Sequence, residues 1–259
     1  MRGQLLHTAS VTKFVLSTAV AAGIRLNILP GLDEPIAVLL PEWIGTDKER
    51  ITLRQLMNHT SGLAVSWPPP AEQDTVQFAL SRKVEVPAGA RWRYDNHGAS
   101  LVAEALQRAS RVKLDVWVEQ HLLQPLGIRE YRWNHDVAGN PYAMSALQLT
   151  AADLALFGRL WLQRGAWEGN QLFESGWIST ATGPSIEGVD GVGLLCSFLP
   201  GQSGPVVIGH DGSGGQHLWL LPEADVVVAR LRSMDLTDPD PVSDLPRALA
   251  TIALAASPR

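Results

Sequence analysis

The sequence predicts an α+β fold in which a helical region packs beside a mainly antiparallel sheet. Up to about residue 189, apolar residues recur at helical spacing, as in "TAADLALFGRLWLQRG". From residue 190 to 259, short apolar or β-branched runs such as "PVVIGH" and "DVVVARL" alternate with glycine, proline and acidic turns, which is typical of antiparallel strands, and "SDLPRALATIALAAS" predicts a closing helix. Because 259 residues suffice for one sizeable core, we expect a single domain over residues 1–259.

Capping residues set the expected bounds of the helices. "SVTKFVLSTAVAAGI" predicts the first helix, with Gly23 near its end in the position of a left-handed cap. In "ITLRQLMNHTSGL", Thr52 is a candidate N-cap and Gly62 a stop signal. Thr150 precedes Asp153 by three residues, so the helix that follows is expected to begin with a near capping box.

The composition excludes several classes of protein. A chain with 46% hydrophobic and 18% charged residues is globular, not disordered or fibrous. Its formal net charge of −5, with no basic run, argues against nucleic acid or an anionic membrane as a partner. No segment reaches the roughly 18 uncharged apolar residues that span a bilayer. The single cysteine, Cys196, excludes an intrachain disulfide and lies in an apolar run, where a buried and unreactive thiol is expected.

The first apolar stretch bears on localisation. "KFVLSTAVAAG" follows a basic start and ends in small residues, but the stretch is short and Lys13 interrupts it, so a signal peptide is not expected. We therefore expect a cytoplasmic protein for the chain as written, and a periplasmic or secreted one if an upstream segment carries a signal.

A serine and a lysine near the N-terminus are candidates for nucleophilic catalysis. Ser10 and Lys13 are three residues apart, so in a helix the amine lies on the same face as the hydroxyl. A serine hydroxyl is a poor nucleophile until a base removes its proton, and a lysine becomes that base only where burial or nearby positive charge lowers its pKa. The pattern alone is weak, since Ser110 and Lys113 repeat it at a helix junction with no companion motif.

Two further clusters of polar residues follow along the chain. Tyr94 and Asn96 stand two residues apart in "PAGARWRYDNHG", just before a predicted helix. A phenol near an ammonium group is expected to have a lowered pKa and to pass a proton to a leaving group. His210, Asp211 and Gly212 end a predicted strand. A glycine there lets a substrate lie against the strand edge, whose N–H groups can complete an oxyanion hole.

The three clusters, Ser-x-x-Lys, Tyr-x-Asn and His-x-Gly in that order, resemble the signature of the penicillin-recognising serine hydrolases. Tyrosine in the second motif is similar to class C β-lactamases and their relatives, which include DD-peptidases, β-lactamase-like esterases and 6-aminohexanoate-dimer hydrolases. "ITLRQLMNHTSGL" and "LTAADLALFGRLWLQRGAWEGNQL" also resemble that family, so the resemblance covers nearly the whole chain. It implies a β-lactamase-like fold with the active site between the helical region and the antiparallel sheet.

The resemblance implies a role for each motif residue. The resemblance implies that Ser10 is the acylated nucleophile, that Lys13 activates Ser10, and that Tyr94 is the general acid and base. Asn96 is expected to position Lys13 or the substrate amide, and His210 to take the basic position of the third motif. The residues expected to bind substrate or form the oxyanion hole are Asn96, His210, Asp211, Gly212 and Ser213, with the N–H groups of Ser10 and Ser213 as the hole. The segment 59–62, "HTSG", also matches the family, and we expect it to be structural.

Two departures from the family pattern affect the expected function. Family members have two strands before the serine helix, and nine residues do not provide them; we expect a reduced sheet whose exposed edge invites pairing, so a homodimer is a hypothesis. The third motif has His210 and Asp211 where lysine and threonine are commoner. A neutral histidine does not suit a β-lactam carboxylate, and the negative charge of Asp211 is expected to repel anionic substrates. The sequence therefore predicts an esterase or amidase that acts on a small molecule, with weak or no β-lactamase activity.

Several alternatives stay open at the level of the sequence. Tyr94 is compatible with a buried aromatic residue, Asn96 with a helix cap, and His210 with an ordinary hairpin. A zinc site would recruit His210, Asp211 and His217, but no companion motif supports it, and we expect no metal or cofactor. The alternative function is a catalytically inactive relative with a binding or structural role, in which the missing strands keep the site from assembling.

Overall fold

The structure, a computed structural model, describes residues 3–66, 73–183, 185–201 and 205–233, and also residues 245, 246, 248, 249 and 251. Its α-helices are α1 Thr12–Arg25, α2 Leu53–Met57, α3 Thr75–Ser81, α4 Asn96–Ser110, α5 Leu114–Val118, α6 Ala151–Leu162 and α7 Trp177–Ala181. Its strands are β1 Leu6–His7, β2 Arg132–Trp133, β3 Leu147–Leu149, β4 Ala166–Trp167, β5 Asn170–Gln171, β6 Ser197–Pro200, β7 Pro205–Gly212, β8 Gln216–Leu221 and β9 Val226–Arg230. Within these ranges, no helix has the length and apolar character needed to cross a membrane.

The strands form one large antiparallel sheet and two small ones. The large sheet has the order β6-β7-β8-β9, and all of its neighbours are antiparallel. The strands β1, β3 and β2, in that order, form a second antiparallel sheet, and β4 pairs with β5. Because the helices dominate the chain before residue 189 and the large sheet follows it, the predicted α+β class is confirmed.

The segment before α1 contributes little to the sheets. Among the described residues ahead of Ser10, the only strand is β1, which has two residues and pairs with β3 rather than with the large sheet. The described residues before Ser10 therefore add no strand to the large sheet. The homodimer stays a prediction.

The helix α1 runs through the middle of the hydrophobic core. All of its residues from Thr12 to Gly23 are buried, so it is enclosed on every side. The helix ends at Arg25, so the predicted glycine cap at Gly23 is wrong. Gly23 instead permits a close approach, because a Cβ there would lie 3.1 Å from the side chain of Leu29 and 3.2 Å from that of Leu106.

The two predicted N-caps are confirmed. Thr52 Oγ1 accepts the N–H of Gln55 at 3.2 Å, and Gln55 Oε1 accepts the N–H of Thr52 at 3.0 Å, which completes a capping box. Thr150 Oγ1 accepts the N–H of Asp153 at 3.0 Å and donates to its carboxylate at 2.7 Å. Each cap satisfies donors of the first helical turn that have no partner inside the helix.

Both faces of the large sheet are covered. On one face α6 approaches closely at Gly158, where a Cβ would lie 2.6 Å from the side chain of Leu220. On the other face Trp219 packs in a cluster with Leu249, which belongs to the predicted closing helix. The described residues of that segment, 245, 246, 248, 249 and 251, are helical. The rest of the predicted helix lies outside the described residues.

Cys196 is the only cysteine of the chain and is buried. Its Sγ lies 3.6 Å from the carbonyl oxygen of Ala181. Burial raises the pKa of the thiol to about 12, so the reactive thiolate does not form near neutral pH. The expected buried and unreactive thiol is confirmed.

Candidate active site

Ser10 lies in a tight turn at the start of α1. A 3-10 turn carries it directly into the helix, with Ala9 in the left-handed region at a φ of 46°. Thr12 Oγ1 donates to the carbonyl oxygen of Ala9 at 2.7 Å, and Thr8 donates through its N–H and its hydroxyl to the carbonyl oxygen of Leu147, both at 2.9 Å. These bonds hold a backbone conformation that costs a non-glycine residue on the order of 1–3 kcal/mol. The turn therefore fixes the direction of the serine hydroxyl.

The Ser10 hydroxyl meets two side chains that come from different parts of the chain. Lys13 Nζ donates to Ser10 Oγ at 3.3 Å, and the Tyr94 hydroxyl donates to the same oxygen at 3.1 Å. Lys13 Nζ also donates to the carbonyl oxygen of Met144 at 2.7 Å and lies 5.1 Å from the centre of the Tyr94 ring. The structure thus brings together three of the residues that the sequence singled out.

Lys13 is completely buried, with a relative exposure of 0%. Burial lowers the pKa of its ammonium group to about 7, and the negative charge of Asp95 opposes that fall. Asp95 is itself bound by the buried Arg82, whose Nη1 lies 2.8 Å from the carboxylate. Much of the Lys13 amine is therefore uncharged near neutral pH, and an uncharged amine can accept the proton of Ser10.

The pKa of Tyr94 is raised, whereas the sequence predicted that it would be lowered. Burial of the phenol raises its pKa, and the hydrogen bond with Ser10 opposes this with a smaller effect. The prediction was wrong because it assumed a charged Lys13, and the burial that discharges the amine also disfavours the phenolate. Tyr94 therefore keeps its proton near neutral pH and donates it towards Ser10 Oγ.

Strand β7 packs against the turn that carries the serine. A Cβ at Gly212 would lie 2.7 Å from the carbonyl oxygen of Thr8 and 3.0 Å from Ala9 Cβ, so glycine lets the strand come this close. His210 is on the same face of the strand, two residues earlier, and is buried. Burial and the charge of Lys13 lower the pKa of His210 to about 4, so the ring is uncharged at neutral pH.

The end of β7 has one open edge. β6 pairs with β7 from Pro205 only as far as Gly209, and β8 pairs on the opposite side as far as Gly212. No described strand therefore covers residues 210–212 on the side away from β8, where an extended substrate can pair with the main chain. Ser213, expected to supply an N–H of the oxyanion hole, lies in the turn that follows.

The carboxylate of Asp211 points away from the serine side of the sheet. Side chains alternate along a strand, so Asp211 lies on the face opposite His210, together with His217 and Trp219. Its Oδ1 lies 2.5 Å from His217 Nδ1 and accepts the Trp219 Nε1–H at 2.7 Å. The expected repulsion of anionic substrates by Asp211 has no support in this geometry. His210 lies on the opposite face from Asp211 and His217, so the three do not come together as a zinc site would require.

Asn96 is the first residue of α4 and is 9% exposed. The residue in the N-cap position is Asp95, so the alternative of a cap at Asn96 is wrong. Between described residues, no hydrogen bond joins Asn96 to Lys13 or to Ser10. The role that the resemblance gives to Asn96 therefore stays a prediction.

Three contacts of the site were missed in the sequence. The Met144 carbonyl oxygen binds an amine 131 residues away, and Arg82 pairs with a carboxylate 13 residues away. No local pattern reveals such pairs. The third contact is that of His59, whose ring centre lies 4.9 Å from that of Tyr94. The family-like segment around His59 was the one signal that could have drawn attention to it.

The helical core, the large sheet and the serine turn between them define a fold shared by β-lactamases and penicillin-binding proteins. The structure is similar to that of a beta-lactamase from Mycobacterium bovis, with a TM-score of 0.71 and 24% identity, over 98% of this chain and 88% of that one. It is also similar to the octameric penicillin-binding protein homologue from Pyrococcus abyssi, with a TM-score of 0.74 and 20% identity, over 98% of this chain and 66% of that one. At these identities the likeness supports the fold alone.

The family model described as Beta-lactamase matches residues 2–253, and the chain therefore belongs to the beta-lactamase family. The curated 6-aminohexanoate-dimer hydrolase of Paenarthrobacter ureafaciens is 27% identical over 178 residues, which are 64% of this chain and 45% of the relative. The chain spans less than half the length of the curated relatives it matches. The resemblance predicted from the three motifs is confirmed at the level of the family and the fold.

Proposed function

We propose that the chain is a serine hydrolase that acts through an acyl-enzyme on an ester or amide of a small molecule. The observation that carries this proposal is the convergence on Ser10 Oγ of Lys13 Nζ, at 3.3 Å, and of the Tyr94 hydroxyl, at 3.1 Å. A hydroxyl beside an uncharged buried amine and a protonated phenol is equipped for nucleophilic attack and for proton transfer to a leaving group. A family relative that is by its name a hydrolase gives further support.

The first half-reaction acylates the enzyme. The uncharged Lys13 amine takes the proton of Ser10 as Oγ attacks the carbonyl carbon of the substrate. The N–H groups of Ser10 and Ser213 bind the negative charge that develops on the carbonyl oxygen. As the intermediate collapses, Tyr94 gives its proton to the departing alcohol or amine, and the Lys13 ammonium returns a proton to the phenol. The acyl group remains on Ser10 as an ester.

The second half-reaction releases the acid. A water molecule attacks the acyl carbonyl carbon, and its proton passes to the Lys13 amine. When the bond between carbon and Ser10 Oγ breaks, Tyr94 protonates the oxygen and is reprotonated by Lys13. The serine, the phenol and the amine then have their original protons, and the reaction needs no cofactor.

His210 bears on the substrate class. Its ring is buried and uncharged at neutral pH, because its pKa is about 4. It therefore offers a carboxylate far less attraction than the lysine that is commoner at this place in the family. For this reason we propose esters and amides, with β-lactams as poor substrates. Asp211 does not contribute to this preference, because its carboxylate lies on the other face of the strand.

The rate of acylation is expected to rise with pH through about 7. Lys13 must be uncharged to accept a proton, and burial places its pKa at about 7. His59 and His210, with pKa values of about 3 and about 4, should add no step near neutrality. The measurement is kcat/KM for a p-nitrophenyl ester from about pH 5 to about pH 9, where the acid limb reports the base of the free enzyme. A profile that is flat through neutrality would contradict Lys13 as the base.

A fluorophosphonate probe tests the proposal directly. Intact mass is expected to show one probe for each chain, and peptide mapping should place it on Ser10. The Ser10→Ala variant should bind none, whereas Ser110→Ala, which removes the serine of the second Ser-x-x-Lys pair, should react like the wild type. A folded wild-type chain that neither binds the probe nor hydrolyses a p-nitrophenyl ester would favour the alternative, a catalytically inactive family member with a binding role.

A further inference from the structure

His59 contacts the chain on both sides of the residue that carries the phenol. The carbonyl oxygen of His59 accepts the N–H of Arg93 at 2.9 Å, and His59 Nδ1 accepts the N–H of Asp95 at 3.2 Å. The ring lies against Tyr94, with ring centres 4.9 Å apart and planes inclined at 43°. A single residue therefore binds the main chain before Tyr94, the ring of Tyr94 and the main chain after it.

The backbone of His59 is held in a conformation that non-glycine residues rarely adopt. Its φ is 63°, in the left-handed region, and the residue is 5% exposed. The next residue is anchored on both sides, because the Thr60 N–H donates to the Gln55 carbonyl oxygen at 2.9 Å and the Thr60 carbonyl oxygen accepts the Gly89 N–H at 2.7 Å. A residue that its surroundings fix this firmly in a rare conformation, next to a reactive group, is a candidate for a functional role.

The hydrogen bond from Asp95 also determines where the proton of the ring is. Nδ1 accepts that bond, so the uncharged ring has its proton on Nε2. Burial, helped by the charges of Lys13 and His210, lowers the pKa of His59 to about 3. The ring therefore continues to accept this bond throughout the pH range in which Lys13 titrates.

We propose that His59 is a positioning residue, whose carbonyl oxygen, ring nitrogen and ring face together hold the Tyr94 hydroxyl at Ser10. This inference rests on the proposed function and assigns to His59 an effect that acts through Tyr94, without contact with the substrate. In that function Tyr94 supplies the proton of the leaving group, so the loss of His59 slows the reactions that need this proton most. A displacement of about 1 Å at such a group lowers a rate by roughly 10²-fold.

Two substitutions separate the contacts of His59. His59→Phe keeps a ring against Tyr94 but leaves the N–H of Asp95 without an acceptor. His59→Asn keeps an acceptor near the position of Nδ1 and tolerates the left-handed backbone, but removes the ring. Thermal unfolding followed by circular dichroism shows that each variant is folded before its kinetics are measured.

The decisive measurement compares two leaving groups on the same acyl group. The p-nitrophenolate of p-nitrophenyl butyrate departs without a proton, whereas the ethoxide of ethyl butyrate needs one. His59→Phe is expected to lower kcat/KM for the ethyl ester by roughly 10²-fold and for the p-nitrophenyl ester by a much smaller factor. We define the ratio as kcat/KM for the ethyl ester divided by kcat/KM for the p-nitrophenyl ester. This ratio should therefore fall from the wild type to His59→Asn and again to His59→Phe. A merely structural role would lower both values by one common factor.

Two controls show whether the effect passes through Tyr94. In a Tyr94→Phe background, His59→Phe should cause no further loss on the ethyl ester, because the group that it positions is absent. His121→Phe should leave the ratio unchanged: His121 also stacks on an aromatic ring, that of Trp117, with centres 4.5 Å apart. Between described residues, no hydrogen bond or ring contact joins His121 to Tyr94.

The outcomes distinguish this inference from the proposed function. Equal losses on the two esters, or a further loss in the Tyr94→Phe background, overturn the role of His59. If His59→Phe does not fold, His59→Asn decides alone: a ratio below that of the wild type supports the role, and an unchanged ratio overturns it. Full esterase activity in Ser10→Ala would overturn the proposed function itself, whereas an inactive Ser10→Ala with an unchanged ratio in His59→Phe overturns the role of His59 only.

Discussion

Replacing Lys13 by methionine is expected to lower kcat/KM for ester hydrolysis by about 10⁴-fold, the upper end of what a single general base contributes. The amine is 3.3 Å from Ser10 Oγ and completely buried, so no water replaces it easily as a base. Methionine has a similar length and is well suited to a buried site, but it cannot take a proton. The measurement is steady-state hydrolysis of a p-nitrophenyl ester by the purified variant.

The second Ser-x-x-Lys pair provides the matched control. Lys113 Nζ lies 3.4 Å from Asn140 Oδ1, and no described contact joins it to Ser10. Lys113→Met should therefore leave kcat/KM close to that of the wild type. Activity within a factor of ten in a folded Lys13→Met enzyme, or equal losses in the two variants, would show that Lys13 is not the base.

Replacing Arg82 by leucine is expected to lower the free energy of unfolding by about 3–5 kcal/mol. The guanidinium group and the carboxylate of Asp95 are 2.8 Å apart, and both side chains are only 3% exposed. In the variant the buried carboxylate of Asp95 has lost its partner, and burying an unpaired carboxylate destabilises the folded state. Urea denaturation followed by circular dichroism measures the change.

An exposed ion pair of the same type is the control for this prediction. Arg54 binds Asp33 through two hydrogen bonds, at 2.6 and 2.8 Å, but the Asp33 side chain is 73% exposed. Water can solvate Asp33 when its partner is removed, so Arg54→Leu should lower the free energy of unfolding by no more than about 1 kcal/mol. Similar losses in the two variants would mean that burial does not determine the strength of the Arg82–Asp95 pair.

The features that were predicted from the sequence are those that short spacings encode. Thr52 and Thr150 cap helices through partners three residues away, and the Ser10–Lys13 pair needs a single helical turn. Tyr94 comes to Ser10 from 84 residues away, which spacing cannot show. Its place was predicted because three motifs in one order resemble a family, and the family constrains the fold.

Other features depend on burial or on strand direction. The pKa of Tyr94 is raised because its phenol is buried, and the extent of burial is decided by the folded chain as a whole. The orientation of Asp211 is different in kind, since alternation along a strand already placed it opposite His210 and Gly212. The expectation that Asp211 repels anionic substrates at the site could therefore have been avoided from the sequence. The Arg82–Asp95 ion pair could not be predicted, because nothing in the local sequence relates the two residues.

The complete burial of Lys13 has a consequence for the pH dependence of stability. In an unfolded chain the amine is hydrated and binds a proton up to its usual pKa of 10.5, whereas in the folded chain it binds one only below about 7. Between these two pH values the unfolded state holds more protons, so the contribution of this group to stability improves as the pH rises through that window. At physiological pH the amine therefore weakens the fold by an amount on the order of several kcal/mol. The desolvation that makes the Lys13 side chain reactive therefore also lowers the free energy of unfolding.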